Sequence, residues 1–105
     1  MGIFQVQALI SLATTADGGL PVFLPSSTRS FLLQFDPGTV VNPETTVGAV
    51  VWRSDGREFC PGDQDVKTII EPWADEAQSL FRVNVPFFLW YGRTVGHGVV
   101  VRVQT

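Results

Sequence analysis

Cysteine occurs once in this chain, at Cys60, so no intramolecular disulfide can form and a cysteine-stapled secreted scaffold is excluded. A reducing compartment is the expectation. Lysine also occurs once, at Lys67, and the seven basic residues face ten acidic ones for a formal net charge of -3. Phosphate contacts need clustered Lys and Arg to release counterions, whereas Arg29, Arg53, Arg57, Arg82, Arg93 and Arg102 are scattered along the chain. Unaided nucleic-acid binding is therefore disfavoured. The one histidine, His97, has no second His or Cys at ligand spacing, and neither a metal nor another cofactor is expected. No apolar run approaches the roughly 18 residues of a membrane helix. The N-terminus lacks the basic segment, long apolar stretch and small-residue cleavage site of a signal peptide. The expectation is a cytoplasmic protein with no membrane partner.

Helical patterning is scarce as well. Residues 73–79, Trp-Ala-Asp-Glu-Ala-Gln-Ser, suggest a helical turn, but one too short to stand alone. Without a crossover helix, a parallel α/β sheet is not expected. What the chain does have is a 45% hydrophobic fraction with 16% charged residues, enough apolar side chains to build a core in one domain over residues 1–105. Val6, Ala8, Ile10 and Leu12 alternate with Gln5, Gln7 and Ser11, the period-two pattern of a half-buried strand. An Asp17-Gly18-Gly19 turn follows. Further strands are expected at 31–35, closed by Asp36-Pro37-Gly38, at 47–53, ended by Ser54-Asp55-Gly56, and at 66–70 after a 59–63 turn. Residues 80–85, 87–91 and 94–103 complete the set. Seven prolines and ten glycines divide these runs at intervals of roughly eight to twelve residues, which points to an antiparallel barrel or sandwich.

Few constellations suggest chemistry. A Cys60–His97 nucleophile and base pair is the one enzyme reading the composition allows, and a lone Cys in a small β domain more often packs as a small hydrophobe. Asp63, Asp65, Asp75 and Glu76 lack the spacing of a calcium loop and read as exposed turn acids. Gly92, Gly96 and Gly98 precede a strand instead of a helix and bring no Lys-Ser/Thr pair, so a phosphate loop fails. The run Phe87-Phe88-Leu89-Trp90-Tyr91 puts bulky groups on both faces of one strand, so both faces are buried or one offers a surface to a partner. Pro86 removes a backbone donor at its start, which suggests an edge strand.

The stretch Gly92-Arg93-Thr94-Val95-Gly96-His97-Gly98-Val99-Val100 resembles the strand that closes the third domain of elongation factor Tu, a Gly-Arg-Thr-Val-Gly-x-Gly-Val-Val run. Three more segments resemble that domain in order and approximate spacing. Pro61-Gly62-Asp63 with Val66-Lys67 and Pro72 is similar to the family's Met-Pro-Gly-Asp-Asn turn, next strand and closing proline. The first strand with Asp17-Gly18-Gly19 and Pro21-Val22-Phe23 is similar to its first strand, Glu-Gly-Gly turn and Pro-Phe-Phe element; residues 31–34 fall at its Gln-Phe-Tyr-Phe-Arg strand. The resemblance spans about residues 4–103, with a few extra residues between Trp73 and Trp90.

That resemblance implies a closed, six-stranded antiparallel barrel. It carries over neither GTP binding, because the GTPase domain is missing, nor a complete tRNA cradle. In the family this domain touches the T-stem of aminoacyl-tRNA, packs on the GTPase domain and contacts the exchange factor. Here the family's arginine is Gln34, and Leu89-Trp90-Tyr91-Gly92 replaces its Arg-Glu-Gly-Gly turn, while Arg93, Thr94 and Gly96 match. The resulting expectation is a stand-alone, non-catalytic binding module that meets a protein partner or a second copy of itself. Its contact candidates are Phe88, Trp90, Tyr91, Arg93, Thr94, His97 and Arg29. A tRNA-binding accessory factor in translation and the Cys60–His97 enzyme stand as alternatives.

Overall fold

In a computed structural model that describes residues 4–35 and 46–104, the alternation in the first strand becomes an inside and an outside. Strand β1 (Gln5–Leu12) turns Val6, Ala8, Ile10 and Leu12 inward, each at most 2% exposed, and leaves Gln5, Gln7 and Leu9 on the outer wall. The chain continues through β2 (Ser27–Thr28), β3 (Leu32–Gln34), β4 (Thr46–Arg53), β5 (Val66–Pro72), β6 (Pro86–Trp90) and β7 (Thr94–Gln104). All pairings are antiparallel. In the order β4-β3-β6-β7-β1-β5, with β5 returning to β4, six strands close into a barrel. Strand β2 adds to β4 at Trp52 and Val51, beyond the stretch from Gly48 to Thr46 that β3 occupies. The closed six-stranded barrel is the architecture that the resemblance implied; the residue pattern alone had left a sandwich open.

Aromatic rings fill the barrel and plug its two mouths. Phe31 and Phe59 meet edge to face at 5.6 Å at the mouth where β1 ends, beside buried Leu20 and Leu24. At the other mouth Phe35 packs edge to face on Phe81 at 4.9 Å, with Phe4 behind Phe81 and Phe87 behind Phe35. Fully burying such a ring contributes roughly 1.5–3 kcal/mol, so the plugs are a substantial part of the core.

The longest strand, β7, must follow both β6 and β1, and its small residues make that possible. Gly96 and Gly98 face inward opposite Leu89 and Phe87. A methyl group at Gly96 would collide with the Ser11 carbonyl, and one at Gly98 with the Phe87 ring and the Leu9 carbonyl. One bulge at Leu89/Trp90 and another at Gln7/Ala8 let the strand bend across its neighbours.

Several expectations shift. Residues 80–85 form no strand: a 3-10 turn at Asp75–Leu80 runs on to Phe81, which leaves the wall to plug the mouth, and Asn84 takes a positive φ of 70°. Strand β6 is not an edge, because it pairs with β3 on one side and β7 on the other; Pro86 is tolerated as its first residue. Strand β2 carried no recognisable sequence pattern. The turn expected at Asp36-Pro37-Gly38 lies outside the described residues.

Candidate binding surface on the outer wall

A barrel whose interior is filled by its own side chains has no room for a ligand, so any site must lie on its outer wall or at its loops. In β6 the alternation sends Phe87 and Leu89 inward at 0% exposure and turns Phe88 and Trp90 outward, where both are half-buried. The run that sequence read as sticky on one or both faces therefore has one core face and one outer face. Strand register then shows what lies beside the outer face. Trp90 stands opposite Thr94 on β7 and Leu32 on β3, and Leu32 stands opposite Gly48 on β4. On the adjacent outward row, Phe88 faces His97 on one side and Gln34 on the other.

The row from Trp90 through Leu32 ends under an indole. Trp73 follows β5, and its backbone N–H donates to the Gly48 carbonyl at 3.1 Å. This bond lays the ring over Gly48, where any Cβ would meet it. The ring nevertheless stays 58% exposed. On one side of it lies an open cleft of about 470 Å3 edged by Thr46, Val47, Glu76 and Leu80. On the other side a second cleft is lined by Arg29, Val50, Glu71 and Pro72. Sequence reading missed Trp73, which it placed in a weak helical turn; the preceding Pro72 and an acidic neighbourhood do not reveal that a glycine on the preceding strand, β4, will seat the ring.

The expected contact residues fall into two groups. Phe88, Trp90, Tyr91, Arg93, Thr94 and His97 come together on the β6–β7 hairpin, whose turn is set by Gly92 at φ 73° and by the Tyr91 N–H donating to the Arg93 carbonyl at 2.8 Å. Arg93, Thr94 and His97 are exposed and Tyr91 is half-buried. Arg29 joins Trp73 and Glu71 instead, while the Arg93 guanidinium reaches towards Gly18 beyond β1. The two arginines thus turn to different neighbours.

Loop electrostatics centre on Arg53. Its guanidinium donates to Asp55 at 2.7 Å, to the Glu58 carbonyl at 2.9 Å and to Asp63. Asp63 also accepts the Cys60 N–H at 2.8 Å, so one carboxylate ties the 54–56 turn to the 60–63 turn. Asp63 is thus a half-buried clamp, in contrast to the exposed turn acids Asp65, Asp75 and Glu76. The hydrogen bond from Arg53, reinforced by the Arg57 N–H, holds the Asp55 carboxyl below its usual range, and the same pairing raises Arg53. The Cys60 thiol points to the Glu58 carbonyl at 3.5 Å, while His97 projects from β7 beside Phe88 and Ser11. Among the described residues no group of three or more His, Cys, Asp or Glu is gathered to hold a metal ion, and no helix is long and apolar enough to cross a membrane. No protein-family model matches the chain, and no curated protein matches it.

Proposed function

We propose that this barrel is a non-catalytic binding module that meets a protein partner through its outer wall, in a role akin to that of the third domain of elongation factor Tu. The observation that carries the reading is the apolar row of Trp90, Leu32 and Trp73 across β6, β3 and the end of β5, on a barrel whose interior is already closed by its own rings. Aromatic side chains that remain half-buried or exposed on a rigid wall supply contact area at little entropic cost, which is how interface anchors work. The kinship with elongation factor Tu rests on the terminal Gly-Arg-Thr-Val-Gly-x-Gly run and the three further segments, and the barrel is the fold they imply.

The test compares immobilised wild-type protein with a Trp90→Ser/Phe88→Ser double variant, after thermal melts show both folded. The expected outcome is a protein retained from the source cell at a defined stoichiometry by the first and lost by the second. A protein retained equally by both would remove the outer wall from the reading, and a concentration-dependent dimer in sedimentation would identify a second copy as the occupant. Salt-sensitive retention of tRNA in place of protein would favour the translation accessory.

A further inference from the structure

The wall around Trp73 is more specific than an apolar patch, because one of its two clefts holds a carboxylate with no basic residue beside it. Glu71 lies on one side of the ring, in a cleft it shares with Arg29, while Glu76 lines the cleft on the other side, where no basic residue is found among the described residues. Among the described residues the ion pairs all belong to Arg53, so neither of these carboxylates is engaged by a basic side chain. The indole itself is held from behind: its N–H-anchored backbone and the missing side chain at Gly48 fix one part of the ring and leave the rest open. A flat, immobilised aromatic face rimmed by carboxylates attracts a cation twice, through the ring quadrupole and through Coulomb attraction. The open shape of the flanking cleft suits an extended segment better than an enclosed small molecule.

We infer that the partner's docking segment carries an arginine that stacks on Trp73 and pairs with Glu76 in the cleft between Trp73 and Leu80. This rests on the reading of the outer wall as a protein-binding surface and names the chemistry of what binds there. A guanidinium fits better than an ammonium because it can lie flat on the indole while its edge donates to the carboxylate.

The experiment follows the indole N–H and backbone amide signals of the labelled full chain by NMR during titration with an acetylated, amidated tri-arginine peptide, and separately with its citrulline counterpart. Citrulline keeps the planar group and removes the charge. The expected result is a saturable shift of the Trp73 and Gly48 signals with arginine only, weakened about 2- to 30-fold by Trp73→Ala, the range of a cation–π contact. Glu76→Gln and Gly48→Ala, which displaces the ring, should weaken it as well. Asp65→Asn and Glu58→Gln are the charge controls, because Asp65 and Trp73 flank opposite ends of β5 and Glu58 lies in the loop before Phe59. Equal response to citrulline, no response at Trp73, or equal weakening by the controls would overturn the proposal. Such a failure, with partner capture still lost in the Trp90 and Phe88 variant, would leave the binding-module reading standing. Arginine binding at Trp73 without partner capture would do the reverse.

Discussion

At the scale of single residues, three glycines separate structure from surface. Gly96 and Gly98 are small because the backbone of β1 and the ring of Phe87 occupy the space a side chain would need. Gly98→Ala is expected to destabilise the barrel by about 1–3 kcal/mol, measured by urea unfolding, since the obstacles are a buried ring and a main-chain carbonyl that cannot retreat. Gly48→Ala meets only an exposed indole, so its unfolding midpoint should stay near wild type while the Trp73 environment changes. Asp63 is expected to matter more than a turn acid normally does. Asp63→Ala leaves the Cys60 N–H unpaired and should cost about 1–3 kcal/mol in the same measurement. Asp55 has a different signature. Its folded-state carboxyl is lowered by Arg53, so its stabilising effect is complete above the ordinary value of 3.8 and is lost as pH falls through the lowered one. Melting temperatures of Asp55→Asn and wild type should therefore differ most near neutral pH and converge as pH falls through the lowered value.

At the scale of elements, β1 was legible from its alternation, because it has one core face and one outer face and a period of two expresses that, while β4 was legible as a β-branched run ended by a turn and β5 as a run between a turn and Pro72. The segment after Trp73 was not legible in this way. Phe81 and Val83 look like alternate residues of a strand, yet the chain there closes the mouth as a 3-10 turn and loop. Their burial separates them: Phe81 is 3% exposed and Val83 is 55% exposed. Phe81→Ala is expected to cost about 3–5 kcal/mol, because it empties the centre of a cluster with Phe4 and Phe35, whereas Val83→Ala should change the unfolding midpoint little. Pro86 misled for a related reason. A proline forbids an N–H bond at its own position, but a strand with partners on both sides can begin with one.

At the scale of the whole molecule, closure of the barrel removes the exposed edges of β6 and β7 that would otherwise invite strand addition, so a contact on this part of the wall uses side chains; β2, paired only with β4 among the described residues, keeps a two-residue free edge. That is why the outward residues Phe88, Trp90 and Trp73 carry the proposed reading; the Cys60 thiol is turned to the Glu58 carbonyl, and His97 stands on the β7 wall beside Phe88. Trp73→Ala is expected to leave the melting temperature almost unchanged, since the ring is mostly exposed, while abolishing part of the partner affinity. A large loss of stability, read in the same melt, would show that the indole is a structural cover for Gly48.

The sequence by itself determined the all-β class, the turns at Gly18, Gly56, Gly62 and Gly92, and the presence of one strand with aromatics on both faces. These are local properties, set by period, composition and the need for positive φ. Only the tertiary structure decided that β6 lies inside the wall, that Arg29 joins Trp73 instead of Arg93, and that Trp90, Leu32 and Gly48 share one row. Which residues become neighbours across a closed barrel depends on register between strands far apart in the chain, and no single strand contains that information.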